Sequence, residues 1–203
     1  NYGMADDDFE RDTPTIGALI VREYNDNPSN FRSTATLSEI MKKFGVAGIY
    51  GIDTRKLNRS IRDYGSRKVL ITDVDTPLEK GLRILKNTNI PTDAVRRVSC
   101  KKITVFDTEN PKYHVAAIDC GMKMNIVRSL NACGCKVTVL PFDTSAEVIE
   151  QLSPDGVFIS NGPGNPKDVP ETVETVKQLI GKYPIFGICL GHQIIALAYG
   201  AKT

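Results

Sequence analysis

The sequence predicts an α/β fold in which the second half of the chain forms a parallel sheet flanked by helices. From Val115 onward, short apolar runs of strand character alternate with stretches whose apolar residues recur at helical spacing. Four such strand–helix units follow one another, and successive parallel strands need crossover helices of this kind. The strands are predicted at 115–118, 136–140, 156–160 and 185–188. Functional residues of such sheets collect in the loops that follow the strands.

The helices between these strands begin and end on recognisable signals. A helix is predicted over 125–133, with Gly134 as its carboxyl-terminal cap. Thr144 and Glu147 have the spacing of a capping box, in which each side chain bonds the backbone N–H of the other residue. They predict the start of a short helix, and a longer helix is predicted over 169–180.

The first 97 residues predict a smaller α/β domain, or part of one. Its predicted strands are 16–23 and 69–72, and its predicted helices are 36–45, 53–65 and 77–85. The first of these helices opens on a second capping box, formed by Thr36 and Glu39. Charged and turn-forming residues over 98–113 predict a linker, which leaves 114–203 as the second domain.

The composition excludes several classes of protein. With 41% hydrophobic and 25% charged residues, the chain is typical of globular domains. Basic and acidic residues are interspersed and give a net charge of only +2, so we expect no nucleic-acid partner. No apolar run approaches the roughly 20 residues of a membrane span, and no signal peptide opens the chain. We therefore expect no membrane partner.

The five cysteines predict neither a disulfide framework nor a metal site. Their number is odd and their spacing is irregular. Cys133 and Cys135 lack a second pair of ligands, so we expect them to pack in the interior rather than to bind zinc. Reduced cysteines are typical of a cytoplasmic compartment.

Cys189 has a glycine two residues away on either side and lies between an apolar strand and an apolar helix. This is the spacing of a nucleophile elbow, with sulfur in place of the serine oxygen. Gly187 and Gly191 allow the strand and the helix to approach closely, and the start of the helix favours the thiolate, the reactive form. The alternative is a small buried cysteine in an ordinary strand-to-helix turn.

The loop Ser160–Pro166 follows the third predicted strand and contains two glycines and two prolines. Such a loop is rigid and leaves backbone N–H groups accessible. Acyl transfer needs two donors of this kind, aimed at the position where the oxyanion forms. We expect Leu190, the residue after the nucleophile, and Gly162 to supply them. For this loop taken alone, a simple tight turn is the alternative.

The two histidines offer no good base for a cysteine nucleophile. His192 lies three residues after Cys189, on the first turn of the following helix, and should point away from the elbow. His114 opens a predicted strand. The chain begins at Asn1 without Met and ends one short helix beyond the nucleophile. We therefore expect an internal fragment, open at both ends.

Two segments, Ser160–Pro166 and Gly187–Gln193, together resemble the class I glutamine amidotransferases. A third segment, Ile49–Leu57, is similar to the Gly-Ile-Asp-Thr-Arg segment of the carbamoyl phosphate synthetase small-subunit family. The resemblance covers essentially the whole chain. It implies a flavodoxin-like parallel sheet, and it implies that Cys189 attacks the side-chain amide of glutamine and forms a glutamyl thioester.

The resemblance also implies roles for other site residues. By position in the family's motifs, Gly162 and Leu190 supply the oxyanion N–H groups, and Gly164 and Gln193 contact glutamine. Asn165 stands where many relatives have Asp. The family's catalytic His and Glu have no counterpart here, so we expect negligible glutaminase activity from these 203 residues alone.

The partners implied by the resemblance are L-glutamine and a large subunit. Ammonia passes to that subunit, which uses ATP, magnesium and bicarbonate to make carbamoyl phosphate for arginine and pyrimidine synthesis. No cofactor or metal is expected in this chain itself, and it contains no phosphate-binding P-loop sequence. The implied location is cytoplasmic.

Two other hypotheses stay open at this point. An anthranilate- or GMP-type amidotransferase would share the elbow and the glycine-rich loop but would lack the segment around Asp53, Thr54 and Arg55. A non-catalytic docking scaffold would keep the fold without the chemistry. Those three residues are themselves expected to form a helix cap and surface charge, without a catalytic role.

Overall fold

The computed structural model describes residues 3–10 and 13–202, and the chain divides into two compact units between Ile90 and Pro91. Within its described part, the first unit contains a two-stranded parallel sheet and three α-helices. These elements are β1 (Ala18–Ile20), α1 (Leu37–Lys43), β2 (Ala47–Ile49), α2 (Thr54–Tyr64) and α3 (Leu78–Asn87).

The first unit matches its sequence prediction better for helices than for strands. The strand predicted at 16–23 shortens to β1, and the prediction of a strand at 69–72 is wrong. A strand needs a neighbour to accept and donate its backbone hydrogen bonds. Among the described residues of this unit, β1 pairs in register with β2, and no further strand extends that sheet to 69–72.

The second unit contains five strands and five α-helices within its described part. They are α4 (Ala94–Val98), β3 (Thr104–Phe106), β4 (Tyr113–Asp119), α5 (Met124–Ala132), β5 (Cys135–Pro141), α6 (Ala146–Gln151), β6 (Gly156–Ile159), α7 (Pro170–Leu179), β7 (Ile185–Gly187) and α8 (Leu190–Ala198). The strand order is β3-β5-β4-β6-β7, in which β4 to β7 are parallel and β3 is antiparallel.

This order confirms the predicted parallel α/β sheet of flavodoxin-like type. Numbered along the chain from β4, the parallel strands run 2-1-3-4, as in the doubly wound folds of that type. The strand order reverses between β4 and β6, and ligands bind at such a switch point. The loop after β6, which contains Gly162, is therefore one of the places where the fold positions a ligand.

The segment 98–113 differs from its predicted role as a linker. It contains the end of α4 and all of β3, which pairs with the edge of β5 from Thr104 opposite Val139 to Phe106 opposite Val137. Pairing with β3 satisfies backbone groups that would otherwise be exposed along that edge. The sequence prediction missed this strand because β3 is flanked by charged residues and its partner lies some thirty residues further along the chain.

Alternating side chains on the strands build two cores, one on each face of the sheet. Ala116, Ile118 and Ile159 are fully buried on the face covered by α6, α7 and α8. Ala117 and Phe158 lie on the opposite face, which α5 covers with Val127 and neighbouring residues. Central strands that are buried on both faces in this way fix the positions of the loops that follow β6 and β7 at one edge of the sheet.

The helix signals of the second unit have mixed outcomes. Gly134, with a φ of 81°, follows the last residues of α5, which confirms the predicted glycine cap. The capping box predicted from Thr144 is wrong, because Ser145 occupies the N-cap position of α6 and makes no capping bond. The Thr144 hydroxyl instead donates to the carbonyl of Pro141 at 2.8 Å. No helix among residues 3–10 and 13–202 has the length and apolar character needed to cross a membrane.

Candidate active site

Cys189 lies between β7 and α8 in a backbone conformation that non-glycine residues rarely adopt. Its φ is 54° and its ψ is −109°, and its side chain is exposed. Such a conformation costs on the order of 1–3 kcal/mol and persists only where the surroundings impose it. The sharp strand-to-helix turn presents the sulfur to solvent, as a nucleophile elbow does.

The two glycines that flank this elbow are required by close backbone packing. A Cβ atom on Gly191 would lie 2.2 Å from the carbonyl oxygen of Ile159 on the neighbouring strand. A Cβ atom on Gly187 would lie 2.5 Å from the carbonyl carbon of Gly191. The N–H of Ile188 donates to the same Ile159 oxygen at 3.1 Å and ties the elbow to the end of β6.

The loop after β6 emerges beside the elbow, because Ile159 on β6 pairs with Gly187 on the parallel strand β7. A Cβ atom on Gly162 would lie 2.8 Å from Cδ2 of Leu190 and 2.2 Å from the carbonyl oxygen of Cys120. Gly162 therefore packs against the first residue of α8. Within the described part of the chain, no hydrogen bond uses the backbone N–H of Gly162 or of Leu190. One of these backbone N–H groups directly follows Cys189 in the chain, and the other lies in the loop that packs against the Leu190 side chain.

Of the two residues expected to contact glutamine, Gln193 bonds the backbone of Cys189, and Gly164 lies in the loop after β6. Gln193 is exposed on the first turn of α8, and its N–H donates to the carbonyl of Cys189 at 3.1 Å. Gly164 is exposed in the loop after β6, with a φ of 87° that favours glycine. Their role as substrate contacts stays a prediction.

The two histidines occupy the positions that the sequence suggested. His114 lies at the start of β4, where its ring shares a 2.8 Å hydrogen bond with Thr138. The site lies at the other ends of the strands, about 16 Å away along β4. His192 is exposed on α8, and the hydrogen bonds of the described residues include none between its ring and Cys189.

The five cysteines differ sharply in their surroundings, and all are free thiols. Burial, with the nearby charge of Asp119, raises the pKa of Cys120 to about 12 and that of Cys100 to about 11. Cys133 and Cys189 are the two exposed thiols, so the prediction that Cys133 packs in the interior is wrong, whereas Cys135 is buried as predicted. Reactivity requires an accessible thiolate, so Cys133 is a natural internal control for Cys189.

Comparison with known proteins identifies both halves of the chain. A model of the class I glutamine amidotransferase family matches residues 116–203, and a model of the carbamoyl-phosphate synthase small chain, CPSase domain, matches residues 1–71. The chain is therefore similar to carbamoyl phosphate synthase small chains in both of its halves. It spans about half the length of the curated relatives it matches, 55% in the first case below.

The relatives match this chain over its whole length of 203 residues. A carbamoyl phosphate synthase small chain from Bacillus thuringiensis subsp. konkukian is 48% identical over all of this chain and 55% of its own length. Pyrimidine-specific small chains from Halalkalibacterium halodurans and Bacillus subtilis are 49% and 46% identical over 56% of their lengths. A solved structure from Thermoplasma acidophilum, described as a candidate component of GMP synthase, overlaps 44% of this chain and 46% of its own, with 29% identity and a TM-score of 0.39. That score is too low for a comparison of folds.

Sequence reasoning missed the side chains that hold the loop of Gly162 in place. Asp119, at the end of β4, accepts hydrogen bonds from the N–H groups of Gly121 and Met122, both at 2.7 Å, and from that of Cys100 at 2.8 Å. The Asn161 side chain donates to the carbonyl of Gly121 at 3.1 Å. This last bond joins loops that are about forty residues apart in sequence, so no local pattern signals it.

Proposed function

We propose that this chain supplies the nucleophile and the oxyanion donors of the glutamine-hydrolysing subunit of a carbamoyl phosphate synthase. One observation carries the proposal. The exposed Cys189 sits on a strained elbow, the Leu190 N–H follows it directly, and Gly162 packs against the Leu190 side chain; neither of these N–H groups has a partner among the described residues. Acyl-transfer sites require this combination of nucleophile and paired donors.

The first chemical step follows from this arrangement. The sulfur of Cys189 forms a bond to the carbonyl carbon of the glutamine side chain, and the carbonyl electron pair moves onto the oxygen. The N–H groups of Gly162 and Leu190 donate to that oxyanion, which is where negative charge develops. The tetrahedral species then collapses, the C–N bond breaks, and nitrogen leaves as ammonia after taking up a proton.

The second step returns the enzyme to its starting state. Water attacks the glutamyl thioester, the C–S bond breaks, and glutamate leaves with the water oxygen. Both steps need a group that moves protons near the sulfur. His114 lies at the far end of β4 and His192 has no bond to Cys189, so we expect negligible turnover from this chain alone. Turnover well above that of the Cys189→Ala variant would contradict this expectation.

The partner and substrate assignments rest on the relatives. The match to the class I glutamine amidotransferase model supports L-glutamine as the substrate, and the relatives' names, which describe small chains, support a large subunit as the ammonia acceptor. The ATP, magnesium and bicarbonate are used by that larger partner. Pyrimidine synthesis is supported by the pyrimidine-specific relatives, and arginine synthesis is proposed alongside it. The five free cysteines support a cytoplasmic location.

An anthranilate- or GMP-type amidotransferase is the competing enzymatic hypothesis. Such a protein would share the elbow and the loop after β6 with this chain. The match of residues 1–71 to the CPSase domain favours the carbamoyl phosphate assignment. The other hypothesis, a docking scaffold without chemistry, predicts that Cys189 reacts no faster than any exposed thiol.

The test is covalent labelling with a diazo-ketone analogue of glutamine, followed by mass spectrometry. The thiol proton moves to the diazo carbon, dinitrogen leaves, and the sulfur bonds the carbon next to the ketone. We expect an adduct on Cys189 alone, lost in Cys189→Ser and unchanged in Cys133→Ser, because Cys133 is exposed but has no adjacent donors or elbow.

The outcomes separate the hypotheses. Labelling confined to Cys189 and suppressed by added glutamine supports a preassembled amidotransferase site. Equal labelling of Cys133 and Cys189 means that the sulfur reacts as an ordinary exposed thiol, which supports the scaffold hypothesis and overturns the proposed function of the site.

A further inference from the structure

The peptide unit between Asn161 and Gly162 carries the N–H that the proposed reaction uses. Its other polar atom, the carbonyl oxygen of Asn161, accepts a hydrogen bond from the Ser160 hydroxyl at 2.7 Å. The described residues contain no cis peptide bond, so the C=O and N–H of this peptide point in opposite directions. A group that fixes the carbonyl therefore also fixes the direction of the Gly162 N–H.

The Ser160 hydroxyl is itself held in one orientation. Its residue is fully buried at the end of β6, and its oxygen accepts the N–H of Cys120 at 2.9 Å. A hydroxyl has a single proton to donate. Because the neighbouring N–H occupies a lone pair, that proton is directed to the carbonyl of Asn161. The orientation is imposed from β4, which is adjacent to β6 in the sheet.

We propose that Ser160 is a positioning residue, whose buried hydroxyl turns the Asn161–Gly162 peptide so that the Gly162 N–H faces the nucleophile. This inference rests on the proposed function and extends it to a residue that touches neither substrate nor sulfur. The carbonyl of Asn161 is directed inward to the hydroxyl, and the N–H of Gly162 is left without a partner among the described residues, beside Leu190.

The surrounding contacts hold Gly162 and the Asn161 side chain, and the hydrogen bond from Ser160 holds the carbonyl of the peptide that joins these two residues. Gly162 packs against the Cys120 carbonyl and the Leu190 side chain, and the Asn161 side chain bonds the Gly121 carbonyl. Removing the Ser160 hydroxyl leaves the Cys120 N–H and the Asn161 carbonyl without their partner in a buried setting. A buried polar group left unpaired is costly, which favours rotation of the peptide toward another partner.

The test compares two electrophiles at the same sulfur in the full chain. The diazo-ketone analogue places its ketone oxygen where the oxyanion donors lie, whereas iodoacetamide reacts by displacement of iodide and needs no such donors. For Ser160→Ala, we expect the labelling rate of Cys189 by the diazo ketone to fall about tenfold or more, since loss of one oxyanion donor costs about 100-fold or more in related sites. The rate with iodoacetamide should stay within about twofold.

Thr172→Val is the matched control. The Thr172 hydroxyl is also fully buried and donates to a backbone carbonyl, that of Phe142, at 2.7 Å. This variant loses a similar bond without touching the loop after β6, so both labelling rates at Cys189 should match those of the unmodified chain. A general loosening of the fold would change the two rates together in both variants, and that result would overturn the inference.

A crystal structure of Ser160→Ala decides the matter independently of reactivity. A rotated Asn161–Gly162 peptide supports the role of Ser160, and an unchanged peptide overturns it. If the unmodified chain shows no selective labelling of Cys189, the proposed function fails, and the peptide orientation in this crystal structure still tests the role of Ser160. Equal diazo-ketone rates in Ser160→Ala and the unmodified chain overturn the inference alone.

Discussion

The two units stabilise their helices in opposite ways. In the second unit, none of the described helices α4 to α8 has a side-chain cap, but α6, α7 and α8 bury residues such as Ile149, Val176 and Ile194 completely. In the first unit, α1 and α2 carry side-chain caps from Thr36 and Asp53 but contain no buried residue.

The burial of apolar side chains shows the same contrast. Among the described residues, Ala5 is the buried hydrophobic residue of the first unit, and every other buried hydrophobic residue lies in the second unit. On α2 and α3, Tyr64 is 74% exposed and Leu82 is 56% exposed. Local capping thus supports α1 and α2 of the first unit, α3 has neither a side-chain cap nor a buried residue, and tertiary packing supports the helices of the second unit.

The largest effect on stability is expected from replacing a glycine in a helix of the second unit, compared with the same replacement in the first unit. In Gly191→Ala, the new Cβ would lie 2.2 Å from the Ile159 oxygen, and a backbone atom cannot move away easily. We expect a loss of about 4 kcal/mol or more in the free energy of unfolding of the second unit. Hydrogen exchange measured by mass spectrometry reports each unit separately.

Gly81→Ala on α3 is the matched substitution in the first unit. A Cβ there would meet Leu70 Cδ2 at 3.6 Å, an ordinary contact. Because alanine favours a helix over glycine, we expect slower exchange in α3, with a gain of up to about 1 kcal/mol. Similar effects of the two substitutions would break the comparison between the units.

The next effect concerns apolar side chains. Ile149 on α6 is fully buried, and Ile149→Ala should cost the second unit about 3 kcal/mol through the lost contacts and the cavity left behind. Leu82→Ala on α3 removes a side chain that is 56% exposed and should change stability by about 0.5 kcal/mol or less. Hydrogen exchange, measured in each unit as denaturant is added, gives the change in stability caused by each of these two substitutions. A cost for Leu82→Ala that equals that of Ile149→Ala would show that its side chain is covered in solution.

These contrasts explain which parts of the structure could be predicted from the sequence. The elbow around Cys189 was predictable because its two glycines stand at a fixed spacing around the cysteine, although Gly191 is required by a contact with Ile159 on a neighbouring strand. The strand Thr104–Phe106 was missed because it spans three residues and its partner strand is distant in sequence. The role of Ser160 was missed for a similar reason, since its contact with Cys120 exists only once β4 and β6 are adjacent.

The two capping-box sequences show the same limit within one motif. Thr36 and Glu39 form the predicted box, with the Glu39 carboxylate accepting the Thr36 N–H at 2.7 Å. Thr144 and Glu147 have the same spacing, but the Thr144 hydroxyl bonds the carbonyl of Pro141 at the end of β5. A packed strand end thus competes with the local motif at Thr144, and the sequence spacing alone carries no sign of that competitor.

The smallest effect tests the local stabilisation of α1. Thr36→Ala removes the N-cap hydroxyl and should cost α1 about 1 kcal/mol, seen as faster hydrogen exchange confined to that helix. Thr144→Ala is the control. The Thr144 hydroxyl caps no helix, so its removal should not speed hydrogen exchange in α6 through loss of a cap. A larger loss in α6 than in α1 would reverse the assignment of the two motifs.

The same box gives a pH dependence with a defined sign. Hydrogen bonds from the Thr36 backbone N–H, and then from its hydroxyl, hold the pKa of Glu39 below its ordinary value of 4.5. A carboxyl whose pKa is lower in the folded state stabilises that state above the unfolded pKa, and this contribution is lost as the pH falls through the folded value. An NMR titration should therefore place the Glu39 pKa below 4.5 and return it toward 4.5 in Thr36→Ala. Glu39→Gln keeps a hydrogen-bond acceptor but cannot take up a proton. In this variant the stability of α1 should no longer change as the pH falls through the pKa of Glu39. Thr36→Ala removes the hydroxyl but keeps the backbone N–H, so an unchanged Glu39 pKa in this variant would mean that the backbone hydrogen bond alone lowers the pKa and that the hydroxyl contributes nothing to it.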